Sequence, residues 1–256
     1  MWTGWKRSNT PGMKMRLDRW MATLSLGSRS EVKEWIRGGR AAVNGRVIRD
    51  PACSFDPAAD RITLRGKTLD GRVTRHVMMH KPAGVLTAAR DPKQPTVMDL
   101  LPAVYGRIGC MPVGRLDKDT TGILIFTCDG ELNHRLLSPG RHVEKRYRAL
   151  TEGRLEEKDA AAFAEGLDLG DFKARGAELR ILRAGEEGSL AEVVITEGKF
   201  HQVKRMFSAV GHEVTQLHRC SFGPLELDPA LSEGQWRELT EAEQEALYRA
   251  AGMEDA

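Results

Sequence analysis

Charged residues crowd into a short loop directly before an apolar run near the middle of the chain. The loop carries four of them: Arg115, Asp117, Lys118 and Asp119. The run Ile-Leu-Ile-Phe at 123–126 and the Asp-Gly turn signal at 129–130 predict a short buried strand. Carboxylates beside a buried strand can act as a base or a nucleophile, but they can equally form a paired structural network.

Three motifs around this loop resemble the signature of the pseudouridine synthases, and within them the branch that modifies small-subunit ribosomal RNA. They are Gly-Arg-Leu-Asp at 114–117, Asp-Thr-Thr-Gly at 119–122 and Thr-Cys-Asp-Gly at 127–130. The resemblance implies that Asp117 is the catalytic residue. It also implies that a specific uridine of ribosomal RNA, of the 16S uridine-516 type, is isomerised to pseudouridine without a cofactor or a metal. Whether Asp117 attacks carbon or removes a ribose proton stays open.

Further segments resemble other motifs of this family. Lys-Pro-Ala-Gly at 81–84 predicts a rigid turn, because proline fixes φ and glycine permits a tight bend. Tyr147 follows the pattern Ser-Pro…Glu-Lys-x-Tyr, which implies that it lines the active site, although a strand-core role is the simpler alternative. In His-Gln-Val-Lys-Arg-Met at 201–206, the resemblance implies that Lys204 pairs with Asp117 and that Val203 packs on the base. Arg115 is expected to contact phosphate or to fill the space that the base vacates.

Two other functions must be weighed. The sequence Asp117-Lys-Asp-Thr-Thr also fits the phosphorylated loop of haloacid-dehalogenase-type phosphotransferases, but that loop should follow an apolar parallel strand. Here it follows Cys-Met-Pro-Val-Gly-Arg at 110–115, a poor central strand. The second alternative is a catalytically inert, RNA-binding ribosome assembly factor, which the intact motif positions argue against.

Charge is unevenly distributed along the 256 residues. Residues 1–75 hold 16 Lys and Arg against 7 Asp and Glu, whereas residues 76–256 hold 23 against 29. A basic module joined to a mildly acidic remainder of the chain suggests an enzyme with a separate RNA-binding domain. No apolar run approaches the roughly 20 residues that span a bilayer, and the four scattered cysteines suggest reduced thiols. We therefore expect a cytoplasmic monomer that does not bind membranes.

The basic module has its own pattern. Leu17, Trp20, Met21 and Leu24 have helical spacing, Ser28…Glu31 is a capping box that opens a second helix, and Asn44-Gly45 predicts a hairpin. Two short helices before a tight hairpin resemble the alpha-L RNA-binding domain of a ribosomal small-subunit protein. The resemblance implies that ribosomal RNA binds through the following residues: Arg16, Arg29, Lys33, Arg37, Arg40 and Arg46.

These patterns predict an α+β protein of two domains. We expect a disordered leader at 1–13, the alpha-L domain at 14–68, a linker at 69–75, and a catalytic domain with a mixed, mostly antiparallel sheet at 76–256. Residues 97–102 predict a short helix that proline stops. The acidic segment 224–256 is predicted to be a surface appendage that ends in a helix.

Overall fold

The computed structural model describes residues 14–24, 26–56, 59–69 and 76–253. The predicted leader at 1–13 lies outside these residues, as does most of the predicted linker. The chain divides into two compact units. The described residues up to Leu69, together with the segment Pro102–Cys110, form the first unit, and His76–Leu101 with the residues from Met111 onward form the second.

The first unit contains short helices and strands. They are β1 Met15–Arg16, α1 Leu17–Thr23, α2 Arg29–Arg37, β2 Ala41–Val43, β3 Arg46–Ile48, β4 Ser54–Phe55, β5 Ile62–Leu64, β6 Lys67–Thr68 and α3 Ala103–Arg107. Strands β3, β2, β5 and β6 form one antiparallel sheet, and β1 pairs with β4. Trp20 of α1 is fully buried and contacts Phe55 edge-on, with ring centroids 4.9 Å apart, in the core beneath both helices.

The local predictions for this unit are confirmed. The Ser28 hydroxyl accepts from the Glu31 backbone N–H and the Glu31 carboxylate accepts from the Ser28 N–H, so the capping box opens α2. Asn44 and Gly45 have φ of 50° and 81° and join β2 to β3 in a tight antiparallel hairpin. Both central residues of that turn require positive φ, which Asn-Gly supplies at low cost.

The second unit is built on one large sheet with helices against it. Its elements are β7 His76–Lys81, β8 Met111–Pro112, β9 Thr121–Thr127, α4 Gly130–Leu137, β10 Lys145–Glu152, α5 Glu157–Glu165, β11 Glu178–Arg183, β12 Gly188–Ile195, α6 Gln202–Ala209, β13 Val214–Phe222, β14 Leu225–Glu226, β15 Trp236–Glu238 and α7 Glu241–Ala250. The main path of the sheet runs β11-β12-β10-β13-β9-β7-β15. Only the pairing of β13 with β9 is parallel among the described strands, so the predicted mixed, mostly antiparallel α+β fold is confirmed.

One sequence prediction is wrong in this region. The C-terminal segment is not a surface appendage, because β15 pairs with β7 and Leu247 of α7 is fully buried in the same core as Met78 and Ile123. The short helix predicted at 97–102 is confirmed, and it ends before Pro102. A 3-10 turn spans Val97–Leu100, and Pro102 then caps the start of α3, a position where its missing N–H is not needed.

Glycine is required where the two parallel strands meet. Gly122 of β9 has φ of 112°, and a Cβ atom placed there would lie 2.2 Å from the carbonyl oxygen of Arg219 on β13. A side chain at this position would therefore push β9 away from β13. The last residue of the motif Asp-Thr-Thr-Gly thus sets the close approach of the strands beside the charged loop.

Candidate active site and RNA-binding surface

The loop that carries Asp117 connects β8 to β9 and is held by the turn that follows β7. The Thr87 hydroxyl donates to the Leu116 carbonyl oxygen at 2.7 Å, and the Gly84 N–H donates to the Lys118 carbonyl oxygen at 2.8 Å. Backbone groups on both sides of Asp117 are therefore fixed by one short segment. This gives the Lys-Pro-Ala-Gly motif a structural purpose, which is to position the loop.

Lys81 also holds the Asp117 loop, from inside the protein. Its side chain is fully buried, and its ammonium donates to the carbonyl oxygens of Pro82, Lys118 and Thr120 at 3.0, 3.2 and 3.0 Å. Burial lowers the pKa of Lys81 to about 8, although the carboxylates of Asp119 and Asp117 oppose the shift. The buried charge is tolerated because three loop and turn carbonyls solvate it in place of water.

Asp117 opens onto a small cavity of about 50 Å³. Its wall includes Arg115, Tyr147 from β10 and Val203 from α6. Tyr147 and Val203 are 7% and 4% exposed, whereas the Asp117 side chain keeps 27% of its surface open. The structure thus brings four of the predicted site residues together, with a carboxylate that a ligand can reach between an aromatic and an aliphatic surface.

The predicted pairing of Lys204 with Asp117 is wrong. The Lys204 ammonium lies 2.6 Å from both carboxylate oxygens of Asp119, and it does not line the cavity. Lys204 lies in the first turn of α6, next to the buried Val203, and its side chain points outward. The exposed Asp119 carboxylate lies within reach of its ammonium. The hydrogen bond from Lys204 lowers the pKa of Asp119.

The basic group that faces Asp117 is His201. Its Nε2 lies 3.5 Å from Asp117 Oδ1, and its backbone has φ of 49° at the start of α6. A left-handed backbone at a non-glycine residue is uncommon and concentrates at functional sites. Sequence reasoning missed this proximity, because the contact joins residues 84 positions apart.

Two further buried cations lie on the strands next to this site, and sequence reasoning missed both. Arg219 of β13 is 2% exposed, stands opposite Tyr147 in the sheet register, and donates to the Ile123 carbonyl oxygen at 2.9 Å. Lys145 of β10 donates to the Val143 carbonyl oxygen at 2.6 Å, and burial lowers its pKa to about 8.

The surroundings of Asp117 do not match the phosphotransferase alternative. The strand before the loop is only Met111–Pro112, and it pairs antiparallel with β9. That alternative needs a buried parallel strand ending at the first aspartate. Within residues 14–24, 26–56, 59–69 and 76–253, no group of three or more His, Cys, Asp or Glu side chains is arranged to hold a metal ion.

The predicted RNA-binding residues of the first unit are all exposed: Arg16, Arg29, Lys33, Arg37, Arg40 and Arg46. Arg16 differs from the others because its guanidinium donates to both carboxylate oxygens of Asp18, at 3.1 and 2.8 Å. This pairing holds the pKa of Asp18 below its usual value. Arg16 is therefore less available to a phosphate than the other five cations. In the described part of the chain, no helix combines the length and apolarity that crossing a bilayer demands.

The chain thus combines a mixed, mostly antiparallel sheet that carries a braced aspartate loop with a small basic helix–hairpin unit. Residues 75–209 match the family model of RNA pseudouridylate synthase, and residues 15–53 match that of the S4 domain. The chain therefore belongs to the RNA pseudouridylate synthase family, whose members are isomerases, and it carries an S4 domain.

Similar proteins span nearly the same length. A Bacillus subtilis (strain 168) protein named as an uncharacterized RNA pseudouridine synthase is 42% identical, covering 90% of this chain and 96% of its own. The ribosomal small subunit pseudouridine synthase A of Pseudomonas aeruginosa is 39% identical and that of Escherichia coli (strain K12) 37%, each covering 90% of this chain and 98% of its own. A crystal structure of a pseudouridylate synthase, 33% identical, superposes with a TM-score of 0.63 over 91% of this chain and 99% of that one.

Proposed function

We propose that this protein isomerises one uridine of small-subunit ribosomal RNA, of the 16S uridine-516 type, to pseudouridine, with Asp117 as the catalytic carboxylate. The observation that carries the proposal is the position of Asp117. Its carboxylate is partly open, lies on a loop braced by Lys81, Gly84 and Thr87, and faces a cavity walled by Tyr147 and Val203. The names of relatives 37–39% identical support the small-subunit target.

The reaction is an isomerisation, so the substrate and the product have the same composition. The bond between ribose C1′ and uracil N1 breaks, the uracil turns, a bond forms between C1′ and C5, and the hydrogen on C5 leaves while N1 gains a proton. No electrons are gained or lost overall, so the chemistry calls for no oxidant or reductant. In one route ionised Asp117 attacks C1′, and in the other it removes a ribose proton. Both routes need a carboxylate, and His201 Nε2 lies 3.5 Å from Asp117 Oδ1.

The target base must leave its stack to reach Asp117, which costs a few kcal/mol. In our proposal Tyr147 offsets part of this cost by stacking, worth ~1–3 kcal/mol per base, and Val203 packs against the uracil. Arg115 is exposed at the cavity and contacts the flanking phosphate or fills the space that the base leaves. Lys204 acts on the site only through Asp119, whose carboxylate it holds.

The exposed cations of the S4 domain then dock the RNA by its phosphates, which adds salt-dependent affinity without choosing the uridine. The proposal places the S4 domain at residues 14–68 and the catalytic domain at 76–256, with the enzyme acting as a monomer in the cytoplasm.

The direct test is pseudouridine mapping. Ribosomal RNA from cells that lack the gene should lose one pseudouridine in the small subunit, and the gene for the wild-type protein should restore it. Loss of a position in large-subunit RNA would refute the target. If all pseudouridines persist while subunit assembly fails, the inert assembly-factor alternative is favoured instead.

A further inference from the structure

Phe200 is a large aromatic residue that is not part of a hydrophobic core. Its side chain is 69% exposed, whereas the neighbouring residues Val203 and Phe207 are buried in α6. Its ring stacks face to face on the His201 ring, with centroids 3.8 Å apart and planes inclined by 15°. Since His201 Nε2 is 3.5 Å from Asp117 Oδ1, only the His201 ring separates the Phe200 ring from the proposed catalytic carboxylate.

Cations and a second aromatic ring continue this surface. Lys199 lines the cavity of Asp117, and its ammonium lies 3.8 Å from the centroid of the half-buried Phe172 ring. The guanidinium carbon of Arg205 lies 5.1 Å from the same centroid. We call these residues the rim strip: Phe172, Lys199, Phe200, His201 and Arg205.

An exposed aromatic ring beside cations matches the way proteins hold single-stranded nucleic acid. Every base offers a π-face to an aromatic ring, and nearby cations neutralise the phosphates. The backbone supports such a role for Phe200, because the left-handed conformation of His201 fixes the direction in which both rings project. A residue that merely packed against the fold would be buried, which Phe200 is not.

We propose that the outer face of Phe200 stacks an unpaired base of the RNA that flanks the target uridine, with Lys199 contacting the adjoining phosphate. This rests on the proposed function and narrows its substrate class. The substrate must present an unpaired neighbour beside the target uridine, so a continuous duplex is bound poorly at the rim strip. Phe200 is then a positioning residue, because it holds the RNA beside the reacting atoms without touching them.

The test uses the full-length protein and a short single-stranded oligouridylate that carries one 2-aminopurine, whose fluorescence falls when it stacks. Phe200→Trp keeps a ring, and Phe200→Leu keeps apolar bulk without one. We expect wild-type protein and Phe200→Trp to bind and quench the probe. We expect Phe200→Leu to weaken binding by about 5- to 150-fold, the range that loss of one base–aromatic stack gives. The slope of affinity against salt should stay the same, because the phosphate contacts remain.

Leu182→Ala is the matched control, since Leu182 is also an exposed apolar residue, 41% exposed on β11, and lies outside the rim strip. It should bind like wild type, and all variants should keep the wild-type unfolding temperature. Equal binding and quenching by Phe200→Leu and wild type would overturn the proposal. So would wild-type protein that leaves the probe unquenched, the outcome expected if a protein partner covers Phe200. Failure of the proposed function is a separate result, namely wild-type protein that forms no pseudouridine in ribosomal RNA.

Discussion

Replacing Lys81 with Met tests whether the buried ammonium positions the Asp117 loop. The variant keeps a long apolar side chain and leaves three carbonyl oxygens, those of Pro82, Lys118 and Thr120, without this donor. The Gly84 and Thr87 bonds remain, so we expect the loop to shift rather than unfold. A displacement of about 1 Å at a reacting group can cost on the order of 10²-fold in rate, and kcat should fall by that order.

The same substitution has a signature in stability that follows from the pKa of Lys81. The unfolded chain holds this proton up to its usual value near 10.5, whereas the folded protein releases it around 8. Between these pH values unfolding takes up a proton, so the wild-type free energy of unfolding rises with pH. From pH 7 to pH 9.5 the contribution of Lys81 to this rise amounts to about 2 kcal/mol, and Lys81→Met should lack that contribution.

Lys145→Met is the control, because Lys145 has the same lowered pKa of about 8 but donates to Val143, outside the Asp117 loop. Urea unfolding at the two pH values should show the same lost pH dependence in both variants, while kcat should fall much further for Lys81→Met. If Lys81→Met keeps wild-type kcat, or if both variants lose activity equally, the positioning role of Lys81 is refuted.

Three further predictions concern other parts of the molecule. Lys204→Met and Asp119→Asn should each slow catalysis by the same factor, because the two residues form one pair. The double variant should be no slower than either single variant, and additive losses of rate in kinetic assays would contradict this. Gly122→Ala should lower the free energy of unfolding by more than about 3 kcal/mol, and an unchanged urea midpoint would refute the steric argument. Three S4 cations, Arg29, Lys33 and Arg37, can be replaced with Glu. RNA binding should then weaken, and the slope of affinity against salt should fall by ~1 per lost contact, while the modified position stays the same.

Local elements were predictable wherever neighbouring residues determine them. The capping box at Ser28, the Asn44-Gly45 hairpin and the buried strand β9 follow from side-chain hydrogen bonding, positive φ and apolar length, and each is confirmed. The edge strand β15 was missed because three residues carry too little periodicity to reveal their pairing with β7. Its existence depends on the partner strand rather than on its own sequence.

The candidate site was predictable as a set of residues but not as a set of contacts. Motifs located Asp117 and Tyr147, which line one cavity. The charge pairing was misjudged, because two aspartates stand two positions apart in the loop and Lys204 pairs with the second, Asp119. The approach of His201 to Asp117 depends on a single left-handed residue, which no pattern of residue types indicated.

The central claim is that the Asp117 carboxylate drives isomerisation, and tritium release from RNA labelled at C5 of uridine measures this most directly. Asp117→Asn keeps the shape of the side chain and removes its charge. We predict that the variant releases tritium roughly 10³-fold more slowly or not at all, while its unfolding temperature and RNA affinity match wild type. Tritium release by the folded Asn variant at a rate near that of wild type would contradict the account.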